Sequence, residues 1–251
     1  MAYEEMRREI EERLRRKLEE EFRKRGLGAT ICERLPQTTL SKMKELVLRG
    51  AEEGVEYGAY ILRDLTLSEP VRGGRYYVRF PEPPPDAVGM FHTHGKYTIR
   101  TIGECEACKV RIIEGEVHLS ETDALNFLAQ KFLFSCIGTL KNSAVTIGCW
   151  ELKMKDPFVR DFVESAHESI DEFLKKVLEL AKKYKTSVPV DILSDEGFDI
   201  FTKNLENVAT EEEIDDLLDL WVEMWAYASD ISDEVERGGG TYVRVCERVL
   251  E

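Results

Sequence analysis

The strongest periodic signal in the chain runs from Asp156 to Tyr184. Phe158, Phe162, Ala166, Ile170, Phe173, Leu174, Val177, Leu178 and Ala181 recur there at helical spacing. A second long helical pattern extends from Glu211 to about Glu236. Thr210 can cap it, Glu211 to Glu213 complement its N-terminal dipole, and Ile214, Leu217, Leu218, Trp221, Met224 and Trp225 form its apolar face. Phe198 to Leu205 reads as a shorter helix, Gly238 to Gly240 stop the long one, and Thr241 to Cys246 alternates as a strand does. Helices with one apolar stripe must bury it against another layer.

That layer lies upstream. Leu40 to Glu53 is helical, with Leu40, Met43, Leu46 and Val47 on one face, and Gly54 closes it. Val55 to Leu62, Tyr76 to Phe80 and Ala87 to His92 read as strands, whereas Pro81 to Pro85 cannot be strand interior. Ser120 to Lys131 is helical, and Phe132 to Leu140 and Val145 to Leu152 are strands joined at Lys141-Asn142. This order predicts an α/β or α+β domain over residues 27–153, a mixed sheet flanked by helices, with a helical C-terminal region over 154–251. Residues 1–26 alternate acids and bases around Met6, Ile10, Leu14, Leu18 and Phe22. A spacing of four drifts around a helix, so it is not a coiled-coil seam. It suits a charged helix wrapped over its own domain, or a homodimerisation arm.

Charge is unevenly divided. From Ser187 to Glu251 there are four bases against eighteen acids, which accounts for the whole formal net charge of −14. With no basic stripe, nucleic acid is not expected as a partner. The acidic segment 187–251 reads as a solvated face, or as a surface for a basic partner. No apolar run reaches the roughly 18 residues of a membrane span, and the charged N-terminus is no signal peptide, so a cytoplasmic protein away from membranes is expected. In that compartment most of the six cysteines would be free, buried thiols. Scarce Asn and Gln beside abundant Glu, Lys and Arg resemble hyperthermophile usage, however, and such organisms keep intracellular disulfides.

Chemistry concentrates at His92-Thr93-His94. Two of only four histidines end a strand here. Strand alternation turns residues i and i+2 to one face, so both imidazoles aim at one point, as the first two ligands of a zinc ion must. Asp123 is the best third ligand. It lies in Ser120-Glu121-Thr122-Asp123, which is also a capping box at a helix start. Glu56 opens an otherwise apolar strand, where a carboxylate needs a partner or a task.

Glu, His-x-His and Ser-x-x-Asp, in this order, together with Pro85-Asp86-Ala87-Val88-Gly89-Met90-Phe91-His92-Thr93-His94, resemble the JAMM, or MPN-plus, zinc metalloprotease family over roughly residues 40–150. The resemblance implies that His92, His94 and Asp123 hold a catalytic Zn²⁺, that Glu56 moves the proton of its water, and that Ser120 steadies the oxyanion. It implies an MPN-like fold and cleavage of isopeptide or peptide bonds after the tail of a ubiquitin-like protein. Two imidazoles and one carboxylate leave a zinc site at net +1, which favours bound hydroxide.

Two departures stand out. Gly95 replaces the family's proline after the second histidine, and 28 residues separate His94 from Asp123, far more than is usual in the family. The extra segment, about 96–117, reads as a β-hairpin flap built from Tyr97 to Ile102 and Val110 to Ile113. Cys105 and Cys108 at its tip are half of a second metal site completed by Cys32, Cys246 or another subunit, a disulfide, or two free thiols. His118 suits a rim histidine or a substrate contact. The flap leaves open an MPN-type scaffold whose metal site is occluded, and the family resemblance also implies, as an alternative, a zinc hydrolase of small-molecule conjugates.

Overall fold

A computed structural model describes residues 29–75, 77–95, 97–102, 109–114, 117–141 and 143–250, with 97–102 and 109–114 described as backbone. The N-terminal helix expected over 1–26, and Cys105 and Cys108, lie outside these residues. The chain runs α1 (Ile31–Arg34), α2 (Gln37–Glu53), β1 (Tyr57–Leu62), β2 (Val71–Arg72), β3 (Ala87–Thr93), β4 (Tyr97–Ile102), β5 (Lys109–Glu114), α3 (Glu121–Ala129), β6 (Phe134–Lys141), β7 (Ala144–Leu152), α4 (Pro157–Tyr184), α5 (Asp195–Leu205), α6 (Glu211–Glu236) and β8 (Val243–Leu250).

Six strands form one mixed sheet in the order β2-β1-β3-β6-β7-β8. Among the described residues only β3 and β6 pair in parallel, with α3 in the crossover between them; the other pairs of this sheet are antiparallel. Strand alternation sorts the side chains into two cores. Tyr57, Ala59, Ile61, Phe91, Cys136, Ile147 and Cys149 face α1 and α2. Tyr60, Met90, Ile137, Trp150, Leu152 and Val243 face the larger helical layer of α3 to α6. The sheet flanked by helices is therefore the architecture the sequence predicts. The acidic C-terminal stretch is no appendage, because β8 pairs along β7 and α4 to α6 share the core with the sheet.

Several expectations are corrected. Tyr77 to Phe80 is not a strand; Val71–Arg72 supplies the short partner of β1 instead. Val78 and Phe80 press on Gly58, where an added Cβ would lie 2.7 Å from Val78 Cγ1 and 2.6 Å from Phe80 Cζ, so their apolar pattern serves to cover β1. Leu218 is 39% exposed, off the buried face of α6. Of the flap expected over 96–117, the described residues show β4 and β5 paired antiparallel as a separate two-stranded sheet. Among the described residues no helix is long and apolar enough to cross a membrane.

Four of the six cysteines are paired, not free. Cys136, Cys149 and Cys246 sit opposite one another on β6, β7 and β8, and the bonds formed are Cys136–Cys149 and Cys32–Cys246. Cys32 and Cys246 are thereby unavailable to complete a zinc site with Cys105 and Cys108. Their bond spans 214 positions and ties α1 to the sheet edge, so closing that loop should restrict the unfolded chain strongly. Replacing both with alanine should cost about 2–4 kcal/mol under non-reducing conditions, read from the urea midpoint. An unchanged midpoint would show that the two thiols are not bonded in solution.

Candidate metal centre

The site lies where the C-terminal end of β3 meets the N-terminus of α3, the two parts of a parallel crossover that bring strand end and helix start together. Met90 and His92 point to the α3 face by alternation, and His94 continues the series. Thr93 points the other way. Its Oγ1 accepts the Tyr57 backbone N–H at 2.9 Å, locking β1 to the residue between the histidines. Register pairs Gly58 with His92, so Glu56, two residues earlier, stands across from His94. The backbone of Glu56 is fixed on its other side by two bonds, Glu56 N–H to Gly74 O and Gly73 N–H to Glu56 O, both 2.8 Å.

His92 Nε2 and His94 Nε2 are 3.2 Å apart. Zinc–nitrogen bonds of 2.0–2.1 Å at tetrahedral angles separate two nitrogens by about 3.3 Å. Asp123 completes the group, with Oδ1 3.5 Å from His92 Nε2 and Oδ2 3.8 Å from His94 Nε2. Among the described residues His92, His94 and Asp123 form the one group of three or more such donors that could hold a metal ion, their donor atoms lying within 4.8 Å of one another. The residues fit a three-ligand ion. One feature departs from common practice: Nδ1 of each histidine is buried without a partner among the described residues, whereas metal-bound histidines usually donate that N–H.

The capping box is real as well. Ser120 Oγ accepts the Asp123 N–H at 3.1 Å, and the Asp123 carboxylate receives the Ser120 N–H at 3.2 Å and its hydroxyl at 2.6 Å. Both hydrogen bonds from Ser120 end on Oδ2, leaving Oδ1 turned to His92. The capping residue is thus also the third member of the His92-His94-Asp123 group, aimed by the first turn of α3. Ser120 is beside the site, and its hydroxyl is engaged with Asp123.

Burial and charge act differently on the four groups. Burial pushes His92 down to about 4, keeping its lone pair free. Burial would lower His94 too, but the neighbouring Asp123 and Glu56 charges reverse this and hold it above its ordinary value. Burial would raise Asp123, yet the two histidines and the Ser120 hydroxyl hold it well below the usual carboxylate range. Burial lifts Glu56 to about 7, with Asp123 adding to the rise and His94 opposing it.

His118 is a rim residue paired with Glu236, Nδ1 to Oε1 at 3.3 Å. Two contributors went unread in the sequence. Thr93 was legible as the residue between the histidines, whereas Ser232, which bonds the segment before Ser120 from 113 positions away, had no local signal. Compared with known proteins, the chain matches no family model, no curated protein and no solved structure.

Proposed function

We propose that the chain is a zinc-dependent hydrolase of peptide or isopeptide bonds, of the JAMM type, with an MPN-like arrangement of sheet and helices. The observation that carries this is the 3.2 Å approach of the two histidine Nε2 atoms, closed by the Asp123 carboxylate, with Glu56 opposite. Zinc bound by three protein ligands supplies Lewis acidity and a water that ionises near neutral pH. His92, His94 and Asp123 hold it. Glu56, with its carboxyl near 7, takes a proton on a carboxylate oxygen and returns it to the leaving amine. Ser120 holds the free edge of Asp123 in place and can turn to the developing oxyanion. The substrate class, a conjugate carrying the extended tail of a ubiquitin-like protein, follows from the resemblance of the motifs.

Carefully purified protein should contain about one zinc per chain, and His92→Ala/His94→Ala should contain none. Wild-type protein free of divalent metal and unable to take up zinc overturns the proposal.

A further inference from the structure

We propose that α6 positions the metal centre, with Ser232 as the positioning residue that sets where Asp123 sits. This rests on the reading of His92, His94 and Asp123 as zinc ligands. Three residues on one face of α6, at positions i, i+3 and i+7, grip the segment that leads into α3. Ser229 Oγ donates to Glu121 Oε1 at 3.0 Å, Ser232 Oγ donates to Leu119 O at 2.7 Å, and Glu236 Oε1 lies 3.3 Å from His118 Nδ1. Only the Ser232 bond is buried: Ser232 is 5% exposed and Leu119 fully enclosed. The grip closes around Ser120, whose N–H and hydroxyl both end on the Asp123 carboxylate.

The segment has reason to need a clamp. Residues 117–120 carry no regular structure, yet they connect β5 to the helix that bears Asp123. Without α6, the start of α3 would be set by its own cap and by packing of Ala124, Leu125, Phe127 and Leu128, which fixes depth better than it fixes a carboxylate to a fraction of an ångström. On the other side, α6 is tied to the sheet, because Glu234 accepts the N–H groups of Thr241, Tyr242 and Val243 at the start of β8. A connected path therefore runs from the sheet through α6 to the ligand. Groups that orient metal ligands from outside the coordination sphere usually change affinity about 10–100-fold when lost.

The test is a competitive zinc titration of the full chain against a chromophoric chelator. Ser232→Ala should bind zinc about tenfold more weakly, and Ser232→Thr, which keeps the hydroxyl, should stay within about twofold of wild type. Tyr184→Phe removes a 2.6 Å bond from α4 to Glu213, at the opposite end of α6, and should leave affinity unchanged. Ser229→Ala, on the exposed bond, should weaken binding about threefold and serves if Ser232→Ala does not fold. Wild-type zinc binding with undiminished affinity in Ser232→Ala, or in Ser229→Ala where the former is unfolded, overturns the proposal alone. Equal weakening by Tyr184→Phe overturns it too, since a loosened helix would then suffice. A wild-type protein that takes up no zinc overturns both this and the ligand assignment on which it rests.

Discussion

Glu56→Gln should cut hydrolysis by about 10²–10⁴-fold while leaving zinc uptake intact, since the side chain is a proton carrier in the proposed mechanism and not a ligand. The same variant should be more stable than wild type at alkaline pH when metal-free. Burial raises the carboxyl from 4.5 to about 7, so the folded protein holds that proton more tightly than the unfolded chain does. Stability from this group is complete below pH 4.5 and is lost as pH rises through 7, by up to about 3 kcal/mol. Glutamine does not titrate and resembles the protonated acid in shape. Chelator-treated Glu56→Gln should therefore exceed wild type by up to about 3 kcal/mol at pH 8 and match it near pH 4.5, by urea unfolding. Opposite signs in activity and stability mark a residue kept for chemistry at the expense of the fold. Retained activity would remove Glu56 from the mechanism, and equal stability at pH 8 would show that burial does not raise its carboxyl.

What could be read from the chain follows from which interactions are local. The β3 pattern ends in two histidines at strand spacing, so their shared face was legible, and the structure brings their Nε2 atoms together. Asp123 was ambiguous between helix cap and ligand because the first turn of α3 makes it serve the cap while it faces the histidines; no local rule separates the two. The long helices were legible from their period, and Thr210 caps α6 as its sequence predicts. Residues 77–80 were misread since an apolar alternation covers a neighbouring glycine as well as it pairs in a ladder. The cysteines were misread because their partners depend on register: Cys149 lies opposite both Cys136 and Cys246, and Cys32 arrives from another element. The acidic segment 187–251 also reaches the edge of the site through α6, across 113 positions, which no local pattern reveals.

Glu234 sharpens that last point, because it is one of the eighteen acids and yet is 5% exposed. Its carboxylate receives the N–H groups of Tyr242 at 2.6 Å and Val243 at 2.8 Å, and that of Thr241 as well. Gly238 and Gly239, with φ of +83° and +90°, turn the chain back, and a Cβ on Gly240 would lie 2.6 Å from Glu234 Oε1. The glycines thus allow the backbone to fold over the carboxylate closely enough for all three bonds. Glu234→Ala strands three donors at the entrance to β8 and should cost about 3–5 kcal/mol, seen as a lower urea midpoint. Glu234→Gln keeps one acceptor oxygen but turns an NH₂ toward backbone donors, and should cost about 2 kcal/mol. The β8 amides should lose hydrogen-exchange protection before those of β3 and β6, because among the described residues β8 is the edge strand of the sheet, next to β7. A surface acid would change stability by less than about 0.5 kcal/mol when replaced. A loss that small at Glu234 would show that the clasp contributes nothing, and would leave α6 without the anchor through which it is proposed to hold Asp123.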